Sequence, residues 1–145
     1  MTVLLDTSVW VDFFNGHASR EAEMLAGFIE DEVDIVTRGV VMAEFFQGIR
    51  NRGSLKSLEP FFRNMNCLTP LEPESYLAST VLYRNLRPRG ISVRSTMDCL
   101  IARLAEAGVF LLAKDRDMRH ILASGLCGAR SVPGGSLPRG SLAQG

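Results

Sequence analysis

Four acidic residues in this chain stand where layered α/β proteins do chemistry: Asp6, Glu44, Asp98 and Asp115. Asp6 ends the apolar run Val3-Leu4-Leu5, and Asp115 follows the run Val109-Phe110-Leu111-Leu112 after Ala113-Lys114. Such runs are too short for helices and read as buried strands. Asp98 falls in the first turn of a helix capped by Ser95 or Thr96, and Glu44 lies early in an amphipathic helix over Val40–Arg50. If the strands are parallel, strand ends and helix starts share one sheet edge, the edge where open α/β sheets bind ligands. Each acid alone has a plain structural role, as cap, dipole partner or solvated charge. Together, carboxylates gathered without a basic partner raise one another's pKa, and a cation relieves that repulsion. An all-oxygen set with neither His nor Cys suits Mg²⁺ or Mn²⁺ rather than zinc. A hard cation so held, with water positions open, suits phosphodiester cleavage by a metal-activated water.

The elements that must position these acids alternate along the chain. Asn15-Gly16 ends a first short helix, and Ser19 caps a second whose Met24, Leu25, Phe28 and Ile29 form an apolar stripe. Val33–Val36 alternates as a second strand, and Cys67-Leu68-Thr69 is a weak third. Between them Ser54–Asn66 reads as a helix that Pro60 kinks or divides. A helix over Glu74–Leu86 is expected to bury Tyr76, Leu77, Thr80, Val81 and Tyr83. Ile91–Arg94 is an extended link, and a last short helix covers roughly Met118–Ser124. Strand–helix alternation predicts one α/β domain over residues 1–130, a mainly parallel central sheet flanked by helices on both faces. Residues 131–145, rich in Gly, Pro and Ser, read as a flexible or extended tail.

Composition narrows the function classes. With 145 residues, one domain with a sizeable core is expected. Lys plus Arg (16) balance Asp plus Glu (16), so no global basic field holds a nucleic acid, and any such contact must be local. Cys67, Cys99 and Cys127 are widely spaced, and with only His17 and His120 they argue against a disulfide framework or a zinc site. Cys99 reads as a small core residue. No signal peptide or bilayer-length apolar run is read, so a cytoplasmic location without membrane attachment is expected.

The motifs also carry a resemblance. Leu4-Leu5-Asp6-Thr7-Ser8-Val9-Trp10 resembles the opening motif of PIN-domain ribonucleases, most closely the VapC toxins of bacterial toxin–antitoxin modules. Val40–Arg50 resembles their "V-x-A-E-L-x-x-G" helix, Asp98-Cys99-Leu100-Ile101-Ala102 their "D-x-x-I-A", and Asp115-Arg116-Asp117-Met118 their "D-x-D-F". The likeness runs in order from Val3 to about Leu122, with Met118 standing where the family usually has Phe. It implies Asp6, Glu44 and Asp98 as metal-binding and catalytic acids, completed by Asp115 with Asp117 as competitor. It implies Thr7 or Ser8 as hydrogen-bonding support. It further implies a Mg²⁺- or Mn²⁺-dependent endoribonuclease, a homodimer, and inhibition by a cognate antitoxin laid across the site. Arg94, Arg116 and Arg119 are candidates to neutralise RNA phosphates, with Arg84, Arg87 and Arg89 as a second patch. Trp10, Phe13, Phe14, Phe45 and Phe46 would stack on bases or form core or dimer surface. Two other readings stay open: a catalytically silent PIN-like module that binds RNA or protein, and a receiver-like phosphoacceptor using Lys114.

Overall fold

Val3, Leu4 and Leu5 are fully buried, so the first strand is a central one, covered on both sides. In the computed structural model, residues 1–133 are described. The elements are β1 (Thr2–Leu5), α1 (Thr7–Phe14), α2 (Arg20–Glu30), β2 (Asp34–Arg38), α3 (Gly39–Gln47), α4 (Arg52–Arg63), β3 (Asn66–Leu68) and α5 (Glu74–Leu86). After a 3-10 turn at Arg87–Arg89 come α6 (Thr96–Ala105), β4 (Phe110–Leu112), α7 (Arg116–Ala123) and β5 (Arg130–Ser131). The sheet order is β3-β2-β1-β4-β5, and every neighbouring pair is parallel.

That order explains the layers. The chain leaves β1 toward β2 and β3, then crosses to β4 and β5 on the other side. Right-handed crossovers therefore put α1–α4 on one face and α5–α7 on the other. Helix contacts follow suit: α1 packs on α2 and α3, whereas α6 packs on α5 and α7. The direction of travel reverses between β1 and β4, which makes their carboxyl ends the topological switch point.

Several local readings hold and several shift. Ser19 caps α2 through Ala22 N–H at 3.1 Å, and Ser95 caps α6 through Met97 N–H at 3.1 Å. Asn51 accepts the N–H groups of Gly53 and Ser54, which starts α4 at Arg52 rather than Ser54. Pro60 lies inside α4 without dividing it. α3 stops at Gln47, short of Arg50. α7 starts at Arg116 rather than Met118, because Asp115 is its cap. Ile29 of α2 is exposed, and α2 instead buries Ala22 and Gly27.

The buried side of α5 is a correction. Ser79, Leu82 and Leu86 face inward, while Tyr76, Leu77 and Val81 are exposed. Ser79 is core-compatible because its hydroxyl donates to Tyr76 O at 2.7 Å, which removes the cost of burying it. The strand β5 was not expected, since it falls at the start of the Gly/Pro/Ser-rich stretch; Phe110 aligns with Arg130, whose guanidinium lies 4.5 Å over the Phe110 ring. Residues 134–145 of the expected tail lie outside the described residues.

The aromatic residues resolve as packing groups. Trp10 is fully buried, with Phe62 at 4.9 Å and Phe14 at 6.0 Å between ring centroids, and Phe45 lies 5.2 Å from Phe62. This cluster joins α4 to α1, which follows Asp6, and to α3, which carries Glu44.

Candidate active site

Asp6 sits at the point where β1 becomes α1. Its N–H donates to Leu112 O of β4 at 3.0 Å, and its extended backbone makes it the helix N-cap. The side chain makes no capping bond, so capping does not explain this acid. Its Oδ2 accepts the Ser8 hydroxyl at 3.2 Å, and the residue is 6% exposed. Thr7 reaches the other way, donating to Glu44 Oε2 at 3.3 Å and tying α1 to α3. Both hydroxyls expected to support the site are bonded to carboxylates.

Asp98 stands in the first turn of α6, half-buried, one turn from the Ser95 cap. Asp115 caps α7: its Oδ2 accepts from Asp117 N–H at 3.1 Å and Met118 N–H at 3.4 Å. The segment before it is pinned to α1 by Lys114 Nζ, 2.8 Å from Asp12 Oδ2. Asp6, Glu44, Asp98 and Asp115 line one open cleft of about 400 Å³ with Thr7, Ser8 and Arg94. All four acids named from sequence are thus on one edge.

Asp117 is placed differently. It is buried, and its Oδ2 accepts Arg94 N–H and Nε–H, both at 3.0 Å. Arg94 Nη2 reaches Asp115 Oδ1, also at 3.0 Å. Asp117 faces a neighbouring recess with Arg116 and His120, outside the lining of the acidic cleft. Its oxygens nevertheless come close: among the described residues, ligand oxygens of Asp98, Asp115 and Asp117 lie within 4.8 Å of one another. Arg94, expected to meet RNA phosphate, is committed to these two carboxylates. Arg119 is likewise paired, with Glu21 at 2.8 Å, and Arg89 donates to Ser124 O at 3.3 Å.

The electrostatics follow from burial and crowding. Burial, opposed by hydrogen bonds from Thr7 N–H and Ser8 and reinforced by Asp115 and Glu44, pushes the Asp6 carboxyl up to about 6. Burial and then repulsion from Asp6, Asp115, Asp117 and Glu44 push Asp98 up to about 7. The hydrogen bonds and charge of Arg94 hold Asp117 below the usual carboxylate range. Two acids raised together in a cleft of oxygen donors are what a divalent cation would relieve, so the residues fit a hard metal ion. Among the described residues the cleft lining offers no thiolate and no imidazole; the thioether of Met97 is its one sulfur beside four carboxylates.

Sequence reasoning missed Arg38. It ends β2 at the sheet edge where Asp6 follows β1. The signal was available: a charged residue closing an apolar strand in a parallel sheet lies on the ligand edge.

Comparison with known proteins agrees with this geometry. The sequence model of the PIN domain family matches residues 3–122. VapC ribonuclease Mb1587 of Mycobacterium bovis is 29% identical over 117 residues, covering 79% of this chain and 87% of that protein. Ribonuclease VapC11 of Mycobacterium tuberculosis shows the same identity and coverage.

Proposed function

The chain belongs to the PIN domain family, and from that premise we propose that it is a metal-dependent endoribonuclease, the toxin of a toxin–antitoxin pair. The observation that carries the reading is the convergence of Asp6, Glu44, Asp98 and Asp115 on one cleft at the sheet's switch point. The relatives named VapC ribonuclease supply the substrate class. Asp98, Asp115 and Asp117, whose oxygens lie within 4.8 Å of one another, would hold Mg²⁺ or Mn²⁺ together with Asp6 and Glu44. When bound, the cation offsets charge on the phosphoryl oxygens and lowers the pKa of water.

The chain's own residues do the rest. Thr7 orients Glu44 and Ser8 orients Asp6, so both carboxylates keep a fixed lone pair toward the cleft. Asp117 also serves as a positioning residue: it fixes Arg94, which in turn fixes Asp115. With its carboxyl near 7 before metal binds, Asp98 must release its proton to hold the cation, so metal binding should strengthen as pH rises through neutrality.

An antitoxin is the expected protein partner. A homodimer is supported by the exposed apolar row Tyr76, Leu77 and Val81 on α5, continued by exposed Leu71. Among the described residues no helix is long and apolar enough to cross a membrane. Purified protein incubated with total RNA in Mg²⁺, Mn²⁺ or EDTA, beside Asp98→Asn, tests the activity. Cutting that requires the metal and disappears in the variant is expected. Equal cutting by the variant, or none by the wild type on any RNA, would defeat the reading.

A further inference from the structure

Arg38 carries two buried donors without an acceptor. It closes β2 and is 2% exposed, yet its Nε and Nη1 are buried without a hydrogen-bond partner. The guanidinium cannot discard its charge by deprotonation, so an unmet fork in the interior is a standing cost to the fold. Arg94, Arg103 and Arg119 all have carboxylate partners; Arg38 has none among the described residues.

Its place in the sheet gives the orphaned fork a meaning. Leu4 of β1 aligns with Val36 of β2, and the same register carried on by two residues brings Arg38 level with Asp6. The two backbones are then one strand spacing apart, about 4.8 Å. The titratable groups that act on Arg38 are Tyr76, Cys67 and Glu44, and all three residues are exposed. Glu44 also lines the acidic cleft, which sets the Arg38 guanidinium behind that wall rather than on the lining. A phosphate reaches its nitrogens only when the side chains over it move aside.

We propose that Arg38 binds a backbone phosphate of an RNA strand crossing the acidic cleft. This rests on the nuclease reading for the identity of the ligand. The planar fork of arginine matches two phosphate oxygens and satisfies both buried donors at once. RNA is favoured over an acidic peptide because the nuclease reading already puts a phosphodiester strand in the adjoining acidic cleft.

The test is binding of a single-stranded 2′-O-methyl oligonucleotide, which resists cleavage, to the full chain in Mg²⁺ at several salt concentrations. Arg38→Met should fold and bind roughly tenfold or more weakly, the loss expected for a charged hydrogen-bonding contact. The slope of log affinity against log salt should shrink by about 0.7, one phosphate contact on a single strand. Arg38→Lys should keep the slope. Unchanged affinity and slope in a folded Arg38→Met would overturn the proposal.

If Arg38→Met does not fold, the Nε–H resonance of Arg38 in ¹⁵N-labelled wild type decides. It should move when the oligonucleotide is added, and a stationary resonance overturns the proposal. Movement with poly-glutamate but not with the oligonucleotide also overturns it, and would assign the fork to an acidic protein. Total-RNA cleavage reports separately on the nuclease reading, since binding through Arg38 does not require that the strand be cut.

Discussion

Replacing Asp6 with Asn is expected to stabilise the protein in the absence of metal. Burial is the main reason the Asp6 carboxyl rises from 3.8 to about 6. Between about pH 4 and 6 the unfolded chain gives up this proton while the folded chain keeps it. The folded state then binds more protons, so stability falls as pH rises through that window and levels off above it. At pH 7 the cost to the folded state is about 3 kcal/mol if the shift is fully retained, and nearer 1 kcal/mol if water enters the cleft. Asn keeps an oxygen for the Ser8 hydroxyl and forfeits no cap, because the Asp6 side chain caps nothing. It also removes the strongest charge repulsion on Asp98, which acts in the same direction. For a chain of this size the gain corresponds to about 2–10 °C in Tm. Thermal melts of both proteins in EDTA from about pH 3 to 8 should show a gap that opens as pH rises through about 4 to 6 and closes only below about pH 4. Mg²⁺ at pH 7.5 should raise the wild-type Tm far more than that of the variant. A wild type at least as stable as Asp6→Asn at pH 7.5 in EDTA would refute the account of the cleft as a site of buried repulsion.

Other expectations concern neighbouring contacts. Arg94→Gln should lower stability at neutral pH: Asp117 is held low by Arg94, so its contribution is present above the unfolded pKa and lost as pH falls through the folded value. Denaturant titrations should therefore show a deficit of the variant at pH 7 that narrows in acid, and a deficit independent of pH would contradict this. Phe62→Ala removes a ring packed on Trp10, Phe45, Phe46 and Phe61 and should cost about 3–5 kcal/mol, read from urea unfolding. Leu77→Glu places a charge on the exposed face of α5 and should convert a dimer to a monomer in light scattering without lowering Tm in the monomer range; a monomeric wild type would remove the dimer proposal.

The acids were legible in sequence because their signals are local. A short run of fully apolar residues marks a buried parallel strand, and the residue that ends it is marked with it, as with Asp6 after Val3–Leu5. Cap residues mark helix starts in the same way, as Ser95 does for Asp98. What periodicity cannot state is which side of a helix finds a neighbour. On α5 the apolar row Tyr76, Leu77 and Val81 outscores Ser79, Leu82 and Leu86, yet the second row is buried because α6 packs there and Ser79 satisfies its own hydroxyl.

Charge followed the same division. Asp115 and Asp117 are equivalent in sequence; in the fold Arg94 bonds both, with Asp115 on the cleft lining and Asp117 buried behind it, its oxygen still within 4.8 Å of those of Asp98 and Asp115. Arg38 was not singled out from sequence; the order β3-β2-β1-β4-β5 puts its strand beside β1, where its Nε and Nη1 are buried without an acceptor. Element type and the identity of the acids depend on neighbours a few residues away, and the sequence by itself determined them. Burial and pairing depend on residues brought together from distant parts of the chain, and only the tertiary structure decided those.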